Sequence, residues 1–600
     1  MKLTRLHIQN FRKLKDVEIN FADATFLVGA NNSGKSSTLD AIEILTSDKN
    51  KLDHTCRSKY INEDGNEIIN ESEDIIIEGT FTNVPKDIVQ QKGFNASRLI
   101  VNRNGDDISY SFRYRVRLSP DGKSHREILM HTITLKSEYE SCSTYQELID
   151  KGIDRSYFEG KDLTKRLNPT LKKDLENLCP EVYDVNEGEA WFENPGGIPG
   201  NVLSQLPRFL KIKADVLSGE MAADKSGTLH DLLDLLFSQV REASPNYKKA
   251  VEALSELEKE MDTTDPTTEF GKLMNELNRV VDGVFHRASI NVETELTKPE
   301  NLKAKFSASL TSNVKTPIER QGTGLIRATV FALLRYNKQR EEMLADCKSR
   351  GVIIGFEEPE LFLHPNAAEK MRDIIYELAS DNDQIVATTH SPYMIDLSKG
   401  NTQVLNSFRI IEHEFASVRA FNLSEAFNII IEDDRTRVKM IQKIDDYVAR
   451  VFFAHRVIIV EGDTEDIVFR HTINAMPEEI KKDIKGRYQI VKATGKATII
   501  SFIKYLRALN VNLFVVHDED AGTPGAEKMN APILDALGGN ESLRLMMHNC
   551  IEDELEYPAP SSEKPYKAYL YVKDWTTWDT VPNKWKGNMR IIFSEHADSL

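Results

Sequence analysis

Eight residues near the start, Gly29-Ala30-Asn31-Asn32-Ser33-Gly34-Lys35-Ser36, constrain this chain more than any other feature in it. They fit G-x-x-x-x-G-K-[ST], directly after the apolar run Phe26-Leu27-Val28 and before a helical pattern from Ser36 to Leu45. A strand, a glycine loop and a helix N-terminus in that order aim backbone N–H groups at a phosphate. The glycines let the loop wrap the β-phosphate, Lys35 reaches the β/γ oxygens, and the Ser36 hydroxyl ligates Mg²⁺. Gly29, Asn31, Asn32, Ser33, Gly34 and the following Ser37 are candidate nucleotide contacts. A nucleotide loop of this kind needs a buried sheet behind it, so an α/β fold is expected.

A carboxylate partner for that loop lies more than 300 residues downstream. Val352-Ile353-Ile354-Gly355-Phe356 is an apolar strand ending in Glu357-Glu358. Glu357 is placed to hold Mg²⁺, and Glu358 to orient or deprotonate an attacking water. A glycine turn, Gln321-Gly322-Thr323-Gly324, opens an apolar helix before it. A buried strand, Ile385-Val386-Ala387-Thr388-Thr389, delivers His390 at its end.

In this order the four pieces, with the opening Ile8-Gln9-Asn10-Phe11-Arg12, resemble an ABC-type ATPase head of the SMC and RecF kind. The resemblance assigns Gln321, Gly322, Thr323 and Gly324 to a signature turn that meets the nucleotide of a facing subunit. It makes His390 a switch histidine at the γ-phosphate of its own subunit. Two departures, Glu357 where most such heads have Asp and the lack of Ser-Gly-Gly in the signature, imply slow hydrolysis or a switch.

A second acidic constellation starts after Arg456. Val457-Ile458-Ile459-Val460 runs into Glu461-Gly462-Asp463-Thr464-Glu465; a Gly495-Lys496 turn follows, and the strand Leu513-Phe514-Val515-Val516 ends in His517-Asp518-Glu519-Asp520. Acids just past strand ends sit where open α/β sheets bind ligands, and their hard oxygens suit Mg²⁺ or Mn²⁺. The pattern h-h-h-h-E-G-x-x-E, then a Gly-Lys turn, then D-x-D, resembles a Toprim domain. Glu461, Glu465, Asp518 and Asp520 are the candidate ligands, Glu552 a later one, and Lys564 a candidate phosphate-charge stabiliser. Two ions held by five carboxylates could activate water and neutralise the leaving oxygen, with Glu461 among the catalytic groups.

The expected architecture is therefore α/β: an ABC-type head of mixed sheets and helices interrupted by a helical insert, then a Toprim domain with a parallel sheet. Boundaries are expected at 1–150, 151–295, 296–450 and 451–600. The insert is read from apolar stripes at helical spacing, Tyr247/Val251/Leu254/Leu257/Met261 and Phe270/Leu273/Met274/Leu277/Val280/Val281/Val284, which suit a core or a dimer face.

A head with such an insert, fused to a Toprim unit, resembles the OLD (overcoming lysogenization defect) family of ATP-dependent endonucleases, to which Gabija nucleases are related. That implies metal-dependent DNA nicking or cleavage under nucleotide control, at least a homodimer, and a role in phage defence. The cofactors implied are ATP with one Mg²⁺, and two Mg²⁺ or Mn²⁺ in the Toprim site. Some such nucleases act alone; others work beside a helicase or a retron reverse transcriptase with its DNA. A nucleotide-switched DNA clamp or sensor without nuclease activity is the alternative, and topoisomerase or primase chemistry a third.

Composition narrows the setting. The formal charge of -17 excludes wholesale electrostatic attraction to DNA. Local basic stretches are the candidates instead. Residues 481–510 carry eight basic residues (Lys481, Lys482, Lys485, Arg487, Lys492, Lys496, Lys504, Arg507) against Asp483, and Arg113/Arg115/Arg117 share one strand face. Five widely spaced Cys fit a reducing cytoplasm. No apolar run is long enough for a membrane span, and the start lacks the apolar core of a signal peptide, so a cytoplasmic protein without membrane contact is expected.

Overall fold

The computed structural model describes residues 1–47, 52–62, 64–91, 94, 96–104, 107–167, 175, 178–193, 201–213, 244–260, 268–284, 309–311, 315–317, 329–330, 332–334, 336, 351–361, 363–379, 383–396, 399, 402–411, 415–444 and 448–600. Two compact units divide the chain: Met1–Ala214 with Ser349–Leu600, and Asp215–Lys348.

The first unit opens with a hairpin, β1 (Lys2–Phe11) against β2 (Leu14–Asn20). A register irregularity between Leu3 and Arg5 turns both Leu3 and Leu6 inward although they are three apart. Next come β3 (Ala24–Gly29) and α1 (Lys35–Thr46), the strand and helix that bracket the glycine loop. β4 (Ile75–Val84), β5 (Ile100–Asn104), β6 (Asp107–Leu118), β7 (Ser124–Leu135) and β8 (Tyr183–Glu193) complete an antiparallel sheet of order β8-β7-β6-β4-β1-β2, with β5 added to β6.

A second sheet carries the nucleotide loop. Its strands are β9 (Arg208–Ile212), β10 (Val352–Glu357), β11 (Gln384–Thr389), β12 (Gln403–Ile410) and β13 (Ala416–Asn422), in the order β9-β10-β11-β3-β12-β13. All neighbours are parallel except β13 on β12. β3, β10 and β11 are almost continuously buried, as strands covered on both faces must be, and β3 and β10 are mostly apolar. One core joins the sheets through α1: Ile42 and Leu45 pack with Ile77 and Phe81 of the first and with Ile353 and Val386 of the second.

After α2 (Glu432–Ile444) a third sheet forms from β14 (Arg456–Val460), α3 (Asp463–Ala475), β15 (Tyr488–Lys492), α4 (Lys496–Ala508), β16 (Leu513–Asp518) and β17 (Arg544–Met547). It is wholly parallel, of order β15-β14-β16-β17, and has its own core around Phe469, Phe514 and Trp585. Short α5 (Ile551–Glu554) and α6 (Lys564–Val572) close one end. Asp434 of α2, 3% exposed, ties this module to the head by accepting hydrogen bonds from Ser501 Oγ at 2.6 Å and Lys504 Nζ at 2.8 Å on α4.

The second unit holds helices Pro245–Glu260 and Glu269–Val284 and a short hairpin, Ser309–Thr311 with Lys315–Pro317. Strands β8 and β9 fall within the 151–295 stretch that helical spacing marks as an insert. β8 is a largely exposed edge strand, so the apolar alternation that would mark it is missing from its sequence. The turn Gln321-Gly322-Thr323-Gly324 lies outside the described residues. Among the described residues no helix is long and apolar enough to cross a membrane.

Candidate functional site

Three parallel neighbours bring the head's motif residues to one edge of the second sheet. Glu357 pairs with Thr388, and Thr388 with Leu27, so the ends of β10, β11 and β3 lie level. The loop between β3 and α1 depends on its glycines. A side chain on Gly29 (φ 147°) would put a Cβ 2.4 Å from the Phe408 carbonyl oxygen, and one on Gly34 (φ 103°) would lie 2.6 Å from Leu14 Cδ2. Asn32 adopts a left-handed φ of 61°. Asn31, Asn32 and Ser36 are exposed, Ser37 half-buried, and Ser33 buried with its Oγ lacking a partner.

Lys35 turns back onto its own loop, donating to the Gly29 and Ala30 carbonyls at 3.0 and 2.8 Å. Burial pushes its ammonium below the usual range, against the pull of the Glu358 carboxylate. Glu358 has a left-handed φ of 43°, and its N–H is held by the Thr388 carbonyl at 3.0 Å. That turn aims its carboxylate at His390, with Nε2 to Oε1 at 3.6 Å. Burial, with Lys35 nearby, lowers the His390 pKa, so the ring is neutral near pH 7.

Glu357 is already paired. Lys211 of β9 stands 3.0 Å from it and 2.6 Å from Asp40 of α1, which Arg12 also contacts. Burial raises the Asp40 carboxyl, but these two cations more than offset it and hold it below the ordinary range. Glu360 closes the site, its Oε1 accepting from Thr389 Oγ1 at 2.6 Å and from the His390 N–H at 3.2 Å. Lys211, Asp40 and Glu360 are absent from the sequence reading because no motif links them to the loop.

The third sheet assembles the second acidic cluster. Glu461 follows β14, Glu465 lies in the first turn of α3, and Asp518 ends β16. Asp520, with φ 57°, turns back beside them. The intervening Glu519 points elsewhere, to His548 at 3.0 Å and the Asn549 N–H at 3.2 Å. Glu552 on α5 is 0% exposed and neither carboxylate oxygen has a hydrogen-bond partner. Its neighbours are spoken for: Asp553 accepts from Asn549, and Glu554 from the His548 N–H and from Asn588. Lys564 Nζ is 3.7 Å from Glu552, beyond hydrogen-bond reach.

Glu461 Oε2 and Asp518 Oδ1 are likewise buried without donors. Burial pushes the Asp518 carboxyl up to about 8, and the carboxylates of Glu465, Glu461, Asp520 and Glu552 add to the rise. Glu461 is pushed up to about 7 by burial, despite the pull of Lys496. Burial also raises Glu465, whose Oε2 accepts the Gly462 N–H at 2.8 Å. Buried carboxylate oxygens without donors are costly alone and call for a cation or a proton. The donor set therefore fits a hard divalent ion, although among the described residues no three such side chains already stand in a formed coordination sphere.

Two basic features change meaning in three dimensions. Arg113 meets Glu78 at 2.6 Å, Arg115 meets Glu127 at 2.7 Å, and Arg117 meets Asp74 at 3.2 Å, so that row is neutralised within its own sheet. The 481–510 stretch is dispersed: Arg487 pairs with Asp483 and Glu595, Lys492 with Asp463, Lys504 with Asp434 and Lys496 with Asp520.

A P-loop sheet in which the strand two places from the loop runs into two glutamates, joined to a parallel sheet ending in buried acids, defines an ATPase head fused to a Toprim-type module. Residues 1–395 match the AAA ATPase domain family, and residues 452–520 match the TOPRIM domain of overcoming lysogenization defect protein-like chains. The chain belongs to that AAA ATPase family and carries an OLD-like TOPRIM domain. The Old nuclease of Escherichia phage P2 is 21% identical over 536 residues, covering 87% of this chain and 77% of that one. The OLD nuclease of Thermus scotoductus is 23% identical over 534 residues, 86% and 82% of the two chains. An Endonuclease GajA of Bacillus cereus is 20% identical over 583 residues, 95% and 83%. Among solved structures, the Smc head bound to the C-winged helix domain of ScpA aligns over 71% of this chain and 100% of that one, at 14% identity and a TM-score of only 0.30.

Proposed function

We propose that this protein is an ATP-regulated, divalent-metal-dependent DNA endonuclease of anti-phage defence, working in the cytoplasm as a homodimer or larger assembly. The observation that carries the reading is Glu552: a fully buried carboxylate without a donor, set among Glu461, Glu465 and Asp518 in a chain that also holds a P-loop. The names of the Old, OLD and GajA relatives point the same way.

Glu461, Glu465, Asp518, Asp520 and Glu552 would hold two Mg²⁺ or Mn²⁺. Such ions supply Lewis-acid charge at the scissile phosphate and an activated water. Lys564, on the rim beside Glu552, adds positive charge where the phosphate becomes more negative. In the head, the loop Gly29–Ser37, with Lys35 and Ser36, would hold ATP and its Mg²⁺, and Glu357 would be the acid available to that ion. Glu358 orients the attacking water, and His390, neutral and 3.6 Å away, reads the γ-phosphate. Gln321, Gly322, Thr323 and Gly324 are assigned to the nucleotide of a facing copy. The exposure of Phe270 and Leu273 on the insert helix Glu269–Val284 supports a surface for that copy.

Plasmid nicking with Mg²⁺ or Mn²⁺, with and without ATP, tests the reading. Asp518→Ala and Glu461→Ala should each stop cleavage while ATP binding stays intact. Cleavage persisting in both would remove the assignment.

A further inference from the structure

The acids of the C-terminal site divide into two groups that their sequence does not separate. Glu461, Asp518 and Glu552 hold oxygens with no donor. Asp520 has a counter-charge in place: Lys496 Nζ lies 2.6 Å from its Oδ2, and the lysine side chain is 3% exposed. Lys496 also donates to Asn530 Oδ1 at 2.9 Å, so the ammonium is fixed by protein acceptors. The turn that delivers it is clamped to the first glutamate, Gly495 N–H donating to the Glu461 carbonyl at 3.1 Å. Gly495 has φ 122°, a conformation that suits glycine and starts α4 with Lys496 as its first residue.

We propose that Lys496 is a built-in cation that occupies the position a second divalent ion would take at Asp520. One ion then binds tightly, through Glu461, Asp518 and Glu552, and a second binds weakly because it must displace or repel the Lys496 ammonium. This rests on the metal-dependent reading of the site. A unit charge a few ångströms from a divalent ion, in a site screened from water, shifts its affinity by at least about tenfold. The second ion is thereby tied to substrate: a phosphate arriving at the site adds negative charge that offsets the repulsion from the Lys496 ammonium. Lys496 acts as a positioning residue, since it touches Asp520 and not the reacting atoms.

Mn²⁺ titration of the full chain without nucleotide or DNA, read by the electron paramagnetic resonance of free Mn²⁺, tests this without any turnover. Wild type should bind one tight equivalent and one weak one. Lys496→Met, close in length and uncharged, should tighten the weak equivalent at least about tenfold and the tight one by less, because the lysine also acts on Glu461. Asp520→Asn, which keeps shape and removes the lysine's partner, should lose the weak equivalent and keep the tight one. Two equally tight equivalents in wild type, or loss of the tight ion in Asp520→Asn, would overturn the role given to Lys496. An unaltered weak equivalent in a folded Lys496→Met would do the same. No Mn²⁺ retained by wild type at all would instead overturn the metal reading beneath it.

Discussion

Glu357 at the end of β10 and Asp518 at the end of β16 hold equivalent places in their two sheets, yet their surroundings are opposite. Glu357 has a lysine 3.0 Å away that is itself braced by Asp40, so this acid of the head is balanced by protein charge, although the neighbouring Glu360 keeps one buried oxygen without a donor. Asp518 has four carboxylate neighbours and an oxygen with no donor. The difference teaches where each site gets its cation. On the function proposed above, the head takes a divalent ion only along with its nucleotide, while the C-terminal module, with three acids holding donorless oxygens, calls for a cation of its own.

The largest expected break in this contrast is Glu552→Gln, which neutralises a fully buried acid whose oxygens have no hydrogen-bond donor. Cleavage of plasmid should fall at least about 100-fold, with ATP turnover unchanged. A parallel fall in ATP turnover would argue against separate cation supplies.

Acid titration separates the two regions next. In the metal-free fold Asp518 titrates at about 8 and Glu461 at about 7, both raised above their ordinary values by burial. Raised carboxyl pKa values mean that the folded state binds more protons than the unfolded one. The resulting stability is complete below the unfolded pKa values, at about pH 4, and is lost as pH rises through about 7 to 8. Mg²⁺ replaces those protons, so its stabilisation should be larger at about pH 8 than at about pH 6, by a few degrees in Tm. Scanning calorimetry with Mg²⁺ and with EDTA at both pH values checks it, and an equal shift at each would count against the buried acids.

Lys211→Met should act on the head alone. Removing the Lys211 contacts to Glu357 and Asp40 should cost on the order of 2 kcal/mol of head stability and about tenfold in ATP turnover, measured by denaturant unfolding and phosphate release. Metal-dependent cleavage without nucleotide should persist. Lys35→Ala should likewise alter how ATP controls cleavage while sparing the metal site. Smallest of all is the Arg113 row: Arg113→Gln should change DNA affinity by less than about twofold at moderate salt, because its charge is spent on Glu78.

What could be read in advance follows the same division. The glycine loop and the acids at strand ends are local patterns, and the sheets place them as their spacing requires. Glu552 could be named from sequence but not set apart from Asp553 and Glu554; only burial and the partners of its neighbours do that. Charge runs reveal least about their own setting. Arg113 is answered by Glu78 on the adjacent strand, 35 residues away in the chain, and the 481–510 stretch contributes its lysines to several unrelated contacts. Lys211 could not be found at all, because the stretch Asp215–Lys348 separates β9 from its partner β10 along the chain.

Equilibrium dialysis against Mn²⁺ without nucleotide compares the two regions most directly, using wild type, Asp518→Asn and Glu357→Gln. Mn²⁺ should stay with wild type and with Glu357→Gln and be lost from Asp518→Asn. Retention by Asp518→Asn together with loss from Glu357→Gln would contradict the account, placing the unmet cation demand in the head.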